Sequence, residues 1–316
     1  LAVLLRGPNA RAETVARRAC VLAERIGAPS ACGPAQRLAD TSLDRQQLGP
    51  RWDLAPHTAR HLLQHAGERL VTTFDADVQR LVLQAVRRLG SGEAAAVVVD
   101  NTNGDVLAYV GAPEAALPDQ AVLLRSAGNL LLPFAYGVAL ERRQLTAASL
   151  LEESLANHAP TQPDDRMWVS VRRALTESLT EPAQAVLRMA GEQLPERLRQ
   201  ADVDMARGGG ADVGLVQLAG LYRSLASGGQ WLAPRLVAGP ERTPRRVLRA
   251  EAGFIVGDML AEPDADGNPQ AFAFRQYVPD GREALLIGFS DRFSIALWAA
   301  GNRGMPAQAG AAWHEI

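Results

Sequence analysis

The chain has 316 residues, 47% hydrophobic and 22% charged, which places it among ordinary globular proteins with one large or two small cores and excludes a disordered tail. A formal net charge of −2 and a pI near 6.3, without a basic excess or aromatics threaded through a basic run, argue against a nucleic-acid partner. All 33 basic residues are arginine, so no side chain supplies an amine that loses its proton near neutral pH; a guanidinium stays charged to a pKa above about 12.

Residues 1–70 read as helical and connective. The start at Leu1 rather than methionine is expected of a fragment or processed form, with any anchor or export signal upstream. No apolar run approaches the roughly 20 residues that cross a bilayer. A helix is predicted from Glu13 to Ile26. Cys20 and Cys32 fit a disulfide in an oxidising compartment and free buried thiols equally well, and lack the neighbours of a metal site. His57, His61 and His65 recur at every fourth residue, a spacing able to ligate metal, but no acid or thiol accompanies them and a solvated helix face is expected. Arginine doublets such as Arg17-Arg18 and Arg245-Arg246 are dispersed and read as solvated faces.

A short strand at residues 71–75 precedes a helix capped by Asp75 and running to about Leu89. Two β-prone runs, 95–100 and 105–111, meet at Asn103-Gly104, which predicts an antiparallel hairpin with a type I′ turn. A helical pattern spans 128–143, and further helices are predicted over 147–225, broken at 160–163 and 208–210. Another helix over 249–261 precedes three extended stretches at 271–277, 284–289 and 293–300. Strands at both ends with helices between them predict an α/β fold, one antiparallel sheet sandwiched by helices, and not a doubly wound parallel sheet. There is no internal repeat.

The segment Arg125-Ser126-Ala127-Gly128-Asn129-Leu130-Leu131-Leu132-Pro133-Phe134 resembles the nucleophile segment of the serine penicillin-binding proteins. Those enzymes place a serine at a helix start and a lysine one turn later, whose neutral amine takes the hydroxyl proton. Here Asn129 stands at the serine position, where it is expected to cap the helix, and Leu132 at the lysine position. Ser126 lies three residues early. The family's Ser-x-Asn motif aligns with Ser178-Leu179-Thr180, where Thr180 lacks the paired donor and acceptor of an amide. The Lys-Thr-Gly-Thr motif, counted back without gaps, falls on Phe274-Arg275-Gln276-Tyr277; its cation becomes Phe274 or slips to Arg275, and its glycine becomes Gln276. Residues 72–79, 208–222 and 282–298 also resemble that family's framework.

The resemblance is to class A penicillin-binding proteins, nearest to the 1C type, over nearly the whole chain. It implies the tail of a glycosyltransferase domain and a linker over 1–70, then a transpeptidase-like domain over 71–316 with the penicillin-binding transpeptidase or serine β-lactamase-like fold. It also implies a periplasmic location, an inner-membrane anchor, no cofactor or metal, and peptidoglycan stem peptides, an upstream glycosyltransferase domain or other envelope proteins as partners. With three motifs degraded, the expectation is a catalytically inactive domain with a structural or regulatory role in cell-wall synthesis. Two alternatives stand beside it: a non-catalytic module that binds stem peptides in the old cleft, and a residual acyl-transfer or hydrolytic activity at Ser126 or Ser178. Leu132 and Phe274 predict a cleft partly filled by apolar side chains.

Overall fold

The computed structural model describes residues 12–42, 54–65, 67–90, 92–154, 166–206, 210–263 and 269–316. Two compact units divide the chain, Leu1–Leu54 and Ala55–Ile316; the predicted boundary after residue 70 falls inside the second. In the first unit, α1 (Ala12–Arg25) buries Val15, Ala16 and Ala23. Gly27, at φ +76°, ends it, and a 3-10 turn at Pro29–Ala31 leads into α2 (Cys32–Ser42). Cys20 and Cys32 are joined in a disulfide that ties the two helices, which resolves the alternative left open by their spacing.

The second unit begins with α3 (Pro56–Leu62) and α4 (Ala76–Arg88). Strands β1 (Ala94–Asp100), β2 (Val106–Val110) and the two-residue β3 (Arg125–Ser126) follow, then a 3-10 turn (Gly128–Leu131) that runs into α5 (Leu132–Glu141). Next come β4 (Leu150–Ser154), β5 (Arg166–Ser170), α6 (Val171–Thr176), α7 (Thr180–Ala190) and α8 (Gln193–Arg199). The pair β4–β5 is antiparallel, so the all-helical expectation for 147–225 is corrected: the ladder from Leu150↔Ser170 to Ser154↔Arg166, a long-range pairing, overrides local helix preference. Residues 160–163, 208 and 209, the expected breaks, lie outside the described residues. The chain continues through β6 (Asp212–Val213), α9 (Leu215–Ala226), β7 (Gln230–Trp231), β8 (Arg245–Arg246) and α10 (Ala250–Leu260). It closes with β9 (Ala261–Pro263), β10 (Pro269–Tyr277), β11 (Glu283–Ser290), β12 (Phe293–Ala300) and α11 (Met305–Glu315).

Among the described residues the main sheet has six strands in the order β2-β1-β12-β11-β10-β9, every neighbouring pair antiparallel. Alternate residues feed two cores. Ala95, Val97, Val99, Leu285, Ile287 and Trp298 face α5, α9 and α10, whereas Ala94, Ala96, Val98, Leu286 and Leu297 face α4 and α11. Burial on both faces explains why β1 reads as an unbroken apolar run, without the polar alternation of a one-sided strand. The sandwich read from the sequence is the architecture observed.

The polar residues of 72–79 hold the sheet's β2 edge. Thr73 Oγ1 donates to the carbonyls of Val106 (2.7 Å) and Arg235 (2.9 Å). Gln79 closes the edge at Tyr109, accepting from its N–H (2.7 Å) and donating to its C=O (3.0 Å), which leaves no free ladder group there to recruit another strand. The β1–β2 connection differs from a two-residue type I′ turn: only Gly104 has positive φ (+71°), and Asn103 Oδ1 accepts from the Asp105 N–H at 2.8 Å. An Asx turn has taken the place of a second left-handed residue.

Asp75 caps α4 as the sequence predicts, accepting from the N–H groups of Asp77 (2.8 Å) and Val78 (3.0 Å). The Val78 and Asp77 amides hold its carboxyl below the usual value of 3.8. A depressed folded pKa means that the cap stabilises fully above the unfolded pKa and fades as pH falls through the folded one. Asp75→Ala is expected to cost about 1 kcal/mol in urea unfolding at pH 7, and less at pH 2.5, towards which the contribution of the ionised carboxyl fades. An equal cost at both pH values would refute the assignment.

Candidate functional site

Three elements converge on one cleft: the 3-10 turn at the head of α5, the loop between α6 and α7, and strand β10. The turn is short because Gly128 takes φ +50°, a conformation that L-residues avoid, and Pro133 occupies the first turn of α5. Tyr222 fixes the turn from behind, its hydroxyl donating to Leu130 O at 2.8 Å and its ring standing edge-on to Phe134.

Asn129 lies within this turn and caps nothing; its Nδ2 donates to Ser178 Oγ at 2.8 Å. The capping expectation fails: the 3-10 turn begins after Ala127, and Asn129 Oδ1 accepts no N–H among the described residues. Ser178, between α6 and α7, has φ +54°, a strained value for serine that costs of order 1 kcal/mol. Its Oγ also accepts from Arg275 Nη2, and Arg275 Nη1 donates to Leu175 O. The hydroxyl oxygen thus receives two donors, one from a residue only 5% exposed and cationic. Burial lowers the pKa of Arg275, while the neighbouring phenols of Tyr222 and Tyr136 favour its charged form. Both phenols are themselves pushed up by burial and stay protonated.

Strand alternation decides the register of the third motif. Ala273, Arg275 and Tyr277 face the cleft side, whereas Phe272 and Phe274 cross to the other face, where Phe274 lies 4.7 Å from the Trp313 ring and 5.3 Å from His314. Phe274 therefore does not fill the cleft, and that expectation is corrected. Of the two positions open to the cation, Arg275 is the one that reaches Ser178, so the glycine position moves from Gln276 to Tyr277. Gln276 is exposed. Tyr277 lies across Gly128 so closely that a β-carbon on the glycine would stand 2.3 Å from its ring. Leu132 is buried in the core beneath the turn.

Thr180 is exposed at the start of α7, with no described bond into the cleft. Ser126 is exposed on β3, and no described side chain bonds its hydroxyl. The grouped residues are an amide, a hydroxyl, a guanidinium and phenols held protonated, a set without a general base. Sequence reading missed Tyr277, although its alternation with Arg275 along an extended stretch was the available signal.

The histidine stripe is solvated as expected at His61 and His65 but not at His57. His57 is 3% exposed and its Nε2 lies 2.9 Å from Leu117 O. His61 Nε2 stands 2.9 Å from Asp119 Oδ2, an acid 58 residues away that spacing alone could not reveal. No group of three or more potential metal ligands occurs among the described residues.

No protein-family model matches the chain. Among curated proteins it is 26% identical over 298 residues to penicillin-binding protein 1C of Escherichia coli, covering 82% of this chain and 39% of that protein. The chain thus spans well under half the length of that relative. Solved structures similar to it include a peptidoglycan glycosyltransferase from Burkholderia ambifaria, with a TM-score of 0.64, 17% identity, and coverage of 77% of this chain and 94% of that one. Penicillin-binding protein 3 from Mycobacterium tuberculosis, complexed with aztreonam, superposes with a TM-score of 0.62 at 17% identity over 77% of each chain.

Proposed function

We propose that this chain, a transpeptidase-type domain of the class A penicillin-binding proteins, has a non-catalytic structural or regulatory role in peptidoglycan synthesis. The observation that carries the reading is the hydrogen bonding that ties the cleft residues to one another. Asn129 and Arg275 both donate to Ser178 Oγ, and the Tyr277 ring lies against Gly128. Acyl transfer needs a nucleophile and a group to take its proton. Asn129 is no nucleophile, Leu132 is no base, and Ser178 faces a guanidinium that can only donate.

In this reading residues 1–70 are the tail of a glycosyltransferase domain and its linker, and the partners are that domain or other envelope proteins. The Cys20–Cys32 disulfide supports a periplasmic location, since such bonds persist in oxidising compartments. No helix among the described residues is long and apolar enough to cross a membrane.

A second reading, a module that binds stem peptides without chemistry, is favoured by two buried polar atoms of the cleft that find no protein partner among the described residues, Asn129 Oδ1 and Arg275 Nε. Calorimetric titration with a muropeptide ending in D-alanyl-D-alanine separates the two. The scaffold reading expects no saturable heat from the wild type. Saturable binding that Asn129→Ala or Ser178→Ala weakens at least tenfold would replace it with the binding module.

A further inference from the structure

The face of α1 that carries Cys20 is built from small side chains. Val15, Ala16 and Ala23 are buried, Ala19 and Cys20 lie half-buried among them, and positions 15, 16, 19, 20 and 23 share one side of a helix. An alanine has one methyl group to bury, so this face withdraws little apolar area from water. The larger apolar side chains of the segment stay in water: Val21, Leu22 and Ile26 are 48%, 41% and 70% exposed. The partner side is equally thin. None of the described side chains of α2, over residues 32–37, is buried, and neither is any residue of the 3-10 turn that joins the two helices.

Cys20 sits inside this face and Cys32 is the first residue of α2, so the disulfide joins the two helices across their contact. A disulfide acts chiefly by restricting the open chain, and its share of the stability rises as the apolar core shrinks, which is why small units lean on such bonds. Both cysteines are half-buried and not sealed in a core. They are the two cysteines of the chain, so residues 55–316 hold no other target for a thiol.

We propose that the Cys20–Cys32 disulfide is a redox-sensitive latch: the α1–α2 pair is ordered while the bond is made and opens when a dithiol reductant breaks it, and the unit from Ala55 to Ile316 stays folded throughout. One thiolate of the reductant attacks a sulfur of the bond, and the other cysteine leaves as a thiolate that takes a proton from water. The second thiol of the reductant then attacks the mixed disulfide and releases the first cysteine. The protein gains two electrons and two protons as two thiols, and the reductant departs as a disulfide. Opening exposes Val15, Ala16 and Ala23 beside Val21, Leu22 and Ile26, which are already in water.

The test is hydrogen–deuterium exchange read by mass spectrometry on the full chain in four forms: oxidised, reduced with dithiothreitol, reoxidised, and with Cys20→Ser and Cys32→Ser combined. Thiol titration is expected to count two thiols per chain after reduction of the folded protein. Amides 15–25 are expected to exchange at least tenfold faster in the reduced and serine forms than in the oxidised one, and to recover their protection on reoxidation. Exchange over β1 and β12 is expected to be the same in all four forms, which shows that the variant has folded. A bond that dithiothreitol leaves intact, a rise over 15–25 of less than tenfold, protection that reoxidation does not restore, or a matching rise over β1 and β12 would each overturn the proposal. None of these outcomes bears on the reading of the cleft, because no cysteine lies in residues 55–316.

Discussion

Prolonged incubation with a reactive penicillin is expected to leave the intact mass of this protein unchanged. Removing the nucleophile or base of a serine hydrolase costs about a million-fold in rate, and such residues act as a unit. Here Asn129 and Leu132 occupy both positions, and the oxygen of Ser178 accepts from Asn129 and Arg275. Restoring the pair alone, as Asn129→Ser with Leu132→Lys, is expected to yield little adduct while Tyr277 remains over Gly128. Burial at position 132 would favour the neutral amine that the chemistry needs, so the base is not the obstacle. Adding Arg275→Lys and Tyr277→Gly is expected to produce penicillin adduct detectable by mass at position 129. A wild-type adduct mapped to Ser126 or Ser178 would mean a relocated nucleophile and would end the pseudoenzyme reading.

Gly288→Ala is expected to destabilise the domain by about 3 kcal/mol or more in urea unfolding, near the upper end of overpacking effects. Its β-carbon would stand 2.4 Å from the backbone oxygen of Ala273 and 2.4 Å from Cζ2 of Trp313. Relief requires β10 to part from β11, or Trp313 to give up its bond to Ile295 O at 2.9 Å. The same substitution at Gly310 provides the control. It lies in α11, with nothing within 4 Å of an added β-carbon, so Gly310→Ala should gain about 1 kcal/mol from helix propensity alone. Comparable losses at both positions would show that the contact at Gly288 does not hold the strand in place.

Much of the framework was legible in the chain because it rests on local physics. Asp75 caps its helix through amides two and three residues on, and the extended stretches after residue 270 form strands because their side chains alternate between two apolar cores. Local rules failed where two arrangements share one pattern. Residues 147–170 hold enough leucine and alanine to read as helix, but part of this segment pairs as β4 with β5. Asn103-Gly104 suits a type I′ turn, but the Asx turn from Asn103 supplies an equally local solution.

For the cleft, the sequence by itself determined the chemical inventory: no lysine anywhere, an amide at position 129 and a leucine at 132. An absent amine is absent in any fold, so that conclusion needed no coordinates. Only the tertiary structure decided which residues meet. Ser178 is 49 residues from Asn129 and 97 from Arg275, and a one-residue shift along β10 exchanges Phe274 for Arg275 and Gln276 for Tyr277 at the cleft. A strand's side chains alternate with period two, so its register against β11 fixes the face each residue takes, and that register is set by long-range packing absent from the linear pattern.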